Sequence, residues 1–396
     1  MPDFSNTDDN RAEVAMLSHE VYRLTKKLEE QERRHLAEAM PDKFDPFNNP
    51  TEYKGFNGDY SKILPRIEEP AYEIPLEPDY AERKGLRKFY SIGGWCIVFQ
   101  FIATFGASML LLSLIISLLS IFVPDADSDR LMNYVKGSSI LVSLNMLVYL
   151  VFNVLNSFIG MTWAKIKYTS LIRTKDFGFG KAVQYCMIGL FLWTVSIYLA
   201  MGANDIFSRY GIDILVDSDG IGETLLAEVI ATIYTCIIAP ITEELFYRGM
   251  LLNVFSKSNQ RFAIFATALF FGFAHGNIQQ FILAFLLGIF FAHITMKHGS
   301  IIPSIIVHIF VNTLSTVLSH IVVISTMLSV MAYLALIGAA IVGAILFLVF
   351  RGSNKLPATT PHQSRRGLRV AIGSVPFTGA IIIYVLYMLY ILFSNR

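Results

Sequence analysis

The chemistry in this chain is concentrated in three short segments. The first, Pro240-Ile241-Thr242-Glu243-Glu244-Leu245-Phe246-Tyr247-Arg248-Gly249, sets two carboxylates and a guanidinium in an apolar run. The second, Phe271-Gly272-Phe273-Ala274-His275-Gly276, and the third, His308-Ile309-Phe310-Val311-Asn312, add two imidazoles and an amide. A carboxylate with an imidazole can deprotonate water as a general base. An imidazole or amide can donate hydrogen bonds to a developing oxyanion. The set therefore supports hydrolysis. The Glu with two His also suits a zinc ion with a site left for water. HExxH spacing is absent, so such ligands would come from separate elements.

Helix geometry sorts these residues. Glu244 and Arg248 are four apart and share a face, so they can pair, and such a pair serves equally as a structural lock. Glu243 lies about 100° further round and shares its face with Tyr247. It has no local cation, so it must find a partner on another helix, stay protonated or face water. Pro240 removes a backbone donor and loosens the turn beside it. His308 and Asn312, also four apart, share one face. Small Gly272, Ala274 and Gly276 flank His275 and allow close backbone approach. Glu223 and Glu228 form a weaker fourth set. No Asp or Glu follows Glu244, so any carboxylate serving His275 or His308 comes from earlier in the chain.

The elements that position these groups are membrane helices. Of 396 residues, 54% are hydrophobic and 16% charged, with mean hydropathy +0.51. Soluble domains carry roughly 25% charged residues. Net charge +1 gives no sign of nucleic-acid binding. Cys96, Cys186 and Cys236 lie in apolar runs and read as small buried hydrophobes. Apolar runs near 93–123, 139–164, 181–202, 223–250, 261–277, 279–296, 302–325, 328–350 and 370–393 match the roughly 20 residues that span a bilayer. The expected fold is all-α, a polytopic bundle of eight or nine spans. An ionisable residue at mid-bilayer costs on the order of 3 kcal/mol, which makes each one inside these spans a functional candidate.

Residues 1–92 hold 19 acidic and 14 basic side chains, a net −5, and the other 304 residues carry a net +6. No apolar segment of signal-peptide type follows the start. Residues 1–40 read as a cytosolic helix, with Val14, Leu17, Val21, Leu24 and Leu28 on heptad positions. Residues 14–28 are thus a candidate for self-association or regulator binding. Residues 41–92 form a polar linker, with seven of the chain's 14 prolines in 41–78. Segments 93–180 and 326–396 read as flanking membrane helices around a core at 181–325. Lys and Arg alternate with acidic or uncharged loops along all nine runs, which puts the N-terminus in the cytoplasm. The Asp125, Asp127, Asp129 series lacks the glycine of a calcium loop. His293, His298 and His320 fall near span ends, where water would solvate them.

The three segments resemble the CPBP family of intramembrane proteases, which includes CAAX prenyl endopeptidases and bacterial Abi proteins. Its motifs EExxxR, FxxxH and HxxxN appear here in order as Glu243, Glu244 and Arg248, then Phe271 and His275, then His308 and Asn312. The likeness covers roughly 180–325. It implies an endopeptidase acting on a membrane-bound or lipidated protein or peptide. Glu243 and His275 would activate water, His308 and Asn312 would form the oxyanion hole, and Glu244 and Arg248 would support the site. Both metal-dependent and metal-free mechanisms are described for the family. With zinc, Glu243, His275 and His308 would be the ligands; without it, no cofactor is needed, and Asn312 favours this second form. The 92-residue extension and the helices after about 327 depart from the family core. The absence of a signal peptide and the short connections resemble bacterial members, hence a bacterial cell membrane. A proton-coupled transporter and a non-catalytic scaffold are the alternatives. The protease reading requires that Glu243, His275, His308 and Asn312 meet at one water-accessible cavity.

Overall fold

The computed structural model describes residues 20–31, 78–123, 127–136, 139–174, 176–215, 225–352 and 367–394. Helix α1 (20–31) exposes Val21, Leu24 and Leu28 side by side. Val14, Leu17 and most of the proline-rich linker lie outside the described residues.

The remaining helices are α2 (Pro78–Phe122), short α3 (Ser128–Lys136), α4 (Ser139–Trp163) and α5 (Phe179–Ser208). Composite α6 follows over Leu225–Ser256. Then come α7 (Gln260–Phe273), α8 (Ile278–His298), α9 (Ile302–Ile324), α10 (Thr326–Phe350), short α11 (Gly367–Ile372) and α12 (Val375–Ser394). No strand occurs among the described residues. Eight of these helices are long and apolar enough to cross a membrane.

The burial pattern is that of a protein solvated by lipid. Leu334, Ile341 and Leu348 of α10 are exposed, while Asn153, Asn156 and Ser157 of α4 are buried. In hydrocarbon the outer face is satisfied by apolar side chains, and polar groups turn inward to find partners. Small residues let the helices approach. A Cβ on Gly94 of α2 would stand 2.4 Å from the backbone nitrogen of Phe377 on α12, so only glycine fits there.

The expected span at 261–277 is corrected. It is a 14-residue helix, α7, about 21 Å long at the helical rise, short of the ~30 Å hydrocarbon core. Gly276 stops it: its φ of +74° is a conformation that side chains with a Cβ seldom adopt. Asn277 then caps α8 by accepting from the Gln280 N–H. The α7–α8 turn thus lies within the depth of the bundle. A Cβ on Gly288 of α8 would stand 3.1 Å from Ala268 of α7, so the two arms of this hairpin press together.

The loops after α4, α6 and α8 share one end of the bundle. Lys257 Nζ donates to the Ala164 carbonyl at 2.7 Å. The Ser300 hydroxyl and Ile301 N–H both donate to the Leu171 carbonyl. Lysines and arginines at 165, 167, 173, 257 and 261 therefore gather together. Partial burial of Lys257 lowers its pKa below the ordinary lysine value.

Candidate active site

The first motif sits on a helix that changes pitch twice. Tyr234–Ile238 and Leu245–Leu252 are π-helical, and Ala239–Glu244 between them is α-helical. Such bulges are frequent at functional sites. Pro240 explains the first. The Ala239 N–H reaches back five residues to the Tyr234 carbonyl. The next bond in that register would run from residue 240 to the Thr235 carbonyl, and proline has no N–H to give. Asn312 of α9 fills the vacancy, its amide nitrogen donating to the Thr235 carbonyl at 2.9 Å. After the second bulge, the Asn253 amide donates to the Arg248 and Gly249 carbonyls.

The adjacent glutamates face different surroundings, as their angular separation requires. Glu244 and Arg248 have no solvent exposure and pair at 2.8 Å. Arg248 also donates to the Gly288 carbonyl of α8 at 3.2 Å. Its guanidinium lies 4.4 Å from the Phe271 ring centroid and 5.3 Å from that of Phe291. Charge, hydrogen bonds and ring faces together compensate its removal from water. Glu244 Oε1 accepts a second contact from His308 Nδ1 at 3.0 Å.

Glu243 keeps a quarter of its side chain exposed, and its Oε2 lies 3.8 Å from His308 Nε2. A carboxylate only accepts, so His308 Nδ1 carries the proton given to Glu244, and Nε2 is the nitrogen turned to Glu243. His275 is fixed likewise. Its Nδ1 lies 2.8 Å from the Phe271 carbonyl. Nδ1–H must be the donor, which leaves Nε2 as the basic nitrogen. Phe271 packs edge-on against both imidazoles, with ring centroids 5.1 Å from His275 and 5.8 Å from His308. One phenylalanine thus spaces His275, His308 and Arg248.

Glu243 and His275 line a single cavity of about 290 Å³, at the small end of ligand sites, which run from ~300 Å³ upward. His308 and Asn312 are not among its lining residues. His308 reaches the site through Glu243. Asn312, expected as a second oxyanion donor, gives one amide N–H to the Thr235 carbonyl. The cause is Pro240, whose missing N–H leaves that carbonyl to be satisfied. So two of the four expected residues line one cavity, the third abuts it, and the fourth braces the helix that carries Glu243.

Residues 225–314 match the family model described as Type II CAAX prenyl endopeptidase Rce1-like. All three motifs lie inside that stretch. Over that stretch the chain is similar to the CPBP family of CAAX proteases. It is accordingly a protease, and its apolar helices make it an integral membrane one. No curated protein and no solved structure matches the chain.

In this CAAX protease the zinc set does not assemble. Among the described residues no three His, Cys, Asp or Glu side chains come together closely enough to hold a metal ion. The geometry offers Glu243 and His308 as one pair, with His275 committed by Nδ1 to its own helix. The weaker candidate Glu228 pairs with His320 at 2.8 Å, away from the cavity lining, and Glu223 lies outside the described residues. His298, expected in water at a span end, is buried and bonded to the Tyr185 hydroxyl at 2.9 Å.

Much of the protease's cavity wall lies outside the matched stretch. Gln100 and Thr104 come from α2, Tyr149 and Asn153 from α4, and Tyr384 from α12. A search for ionisable groups passes over these neutral residues. The usable signal was Asn153 and Asn156, two amides three apart on one face of an apolar span.

Proposed function

We propose that the chain is an intramembrane endopeptidase hydrolysing a lipidated or membrane-bound peptide, with water activated by Glu243 and His275. The observation that carries this is their shared cavity, whose wall draws on α2, α4, α6, α7, α8 and α12. Glu243, or the free Nε2 of His275, takes a proton from water as its oxygen attacks the scissile carbonyl carbon. The carbonyl electron pair moves to oxygen. When it returns, the C–N bond breaks, and the abstracted proton passes to the departing amine. One peptide and one water give one carboxylate and one amine. His308, with Nδ1 held by Glu244, keeps Nε2 beside Glu243 to exchange a proton or steady the oxyanion. Asn312 and the Glu244–Arg248 pair hold that geometry.

The family match favours a prenylated C-terminal peptide as substrate. The basic loops share one end of the bundle, and that end faces the cytosol by the charge bias of membrane proteins. The test is cleavage of a farnesylated, internally quenched CAAX peptide by the full chain in liposomes. Wild type cleaves it and Glu243→Gln does not. Dialysis against EDTA leaves the wild-type rate unchanged. No cleavage by wild type, or full activity in Glu243→Gln, overturns the proposal.

A further inference from the structure

Asn312 gives one amide N–H to the Thr235 carbonyl, and neither it nor His308 lines the cavity that holds Glu243 and His275. Another amide is available. Gln100, Asn153 and Asn156 are each more than nine-tenths buried, and their hydrogen bonds run in one direction. The Asn156 nitrogen donates to the Cys96 carbonyl at 2.7 Å and to Gln100 Oε1 at 3.1 Å. The Gln100 nitrogen donates to Asn153 Oδ1 at 2.7 Å.

Each amide has one end that only accepts and one that only donates. The Cys96 carbonyl fixes which way Asn156 points. Asn156 then fixes Gln100, and Gln100 fixes Asn153. The end of the chain is determined: Asn153 turns its oxygen to Gln100, and its NH₂ group is what remains. That nitrogen makes no hydrogen bond to another described residue, and Asn153 lines the cavity. A donor whose direction is set by a buried relay needs no reorganisation when charge appears. The tyrosine hydroxyls of the same cavity are free to rotate and lack this property.

We infer that Asn153 is a catalytic residue, its Nδ2–H donating to the substrate carbonyl oxygen as that oxygen becomes the oxyanion, with Gln100 and Asn156 as positioning residues. This rests on the reading of Glu243 and His275 as the water-activating pair. The step leaves the balance of hydrolysis unchanged, since Asn153 lends a hydrogen bond and gives up no proton.

The experiment uses the full chain in liposomes and the farnesylated quenched peptide. Asn153→Leu is expected to lower kcat by roughly 10²–10³-fold, the size of a lost oxyanion donor, with KM changed less than about threefold. Gln100→Met leaves Asn153 in place but frees it to turn. It is expected to lower kcat about tenfold, again with little change in KM, as a fraction of that same donor contribution. A folded Asn153→Leu that keeps its kcat, or changes only KM, overturns the inference. Where Asn153→Leu does not fold, Gln100→Met decides: an unchanged kcat overturns it and a reduced kcat supports it. Glu243→Gln in parallel separates the two claims. Dead Glu243→Gln with active Asn153→Leu sinks the Asn153 role alone. Active Glu243→Gln sinks the site itself.

Discussion

Glu243 and Glu244 are neighbours in sequence, yet they occupy opposite kinds of environment. Glu244 lies in a buried girdle: Arg248 and His308 donate to its Oε1, Phe271 and Phe291 cover its partner, and it has no solvent exposure. Glu243 faces a cavity and one imidazole edge. A carboxylate held by a guanidinium and an imidazole is a poor base, because taking a proton breaks the contacts that made its burial tolerable. A carboxylate with room beside it can take one. The Glu244 and Arg248 charges cancel. Glu243 and His308 face each other beside that pair. The girdle is therefore the frame and the cavity the working part, and the helix turn between positions 243 and 244 divides them.

The sharpest test is to neutralise each member in turn. Glu243→Gln should cut hydrolysis by about 10²–10⁴-fold, the usual contribution of a general base. Its melting in detergent should stay at the wild-type value, since the side chain is partly exposed. Arg248→Met should do the reverse. It strands a buried carboxylate, at a cost of about 3–5 kcal/mol, and a thermal melt should show it directly. Adding Glu244→Gln to Arg248→Met should recover part of that loss, because no unpaired charge is then left. If Glu243→Gln melts as early as Arg248→Met, the division between frame and working part is gone.

The frame was more legible in the sequence than the cavity. Glu244 and Arg248 sit one helical turn apart, and a pairing rule local to one helix suffices to join them. The same rule separates Glu243 onto the Tyr247 face. The wall formed by Gln100, Asn153 and Tyr384 depends on contacts between helices far apart in the chain, which no local period records. The length of α7 was misread because Ala274 and the residues before it continue an apolar run, while the stop is a single backbone angle at Gly276. That stop matters to function. It ends α7 inside the bundle and sets His275 at the tip of a helix about 21 Å from its start.

Asn312 gives the finest division between frame and working part, and the smallest expected effect. If it only braces α6, Asn312→Ala leaves the Thr235 carbonyl without a donor, a loss of about 1–3 kcal/mol of stability. Pro240→Ala restores an N–H in the register where that carbonyl waits. In the Pro240→Ala background Asn312→Ala should then cost about 1 kcal/mol less, as expected for two residues serving one acceptor. A melt of the four proteins in this cycle measures the coupling. Hydrolysis by the same four decides the role. Bracing predicts that the rate lost in Asn312→Ala returns when Pro240→Ala is added. A donor to the oxyanion predicts the same loss in both backgrounds, because no N–H on α6 replaces an amide that reaches the substrate. The restored N–H points along the helix at Thr235, so it can rescue the frame and nothing else.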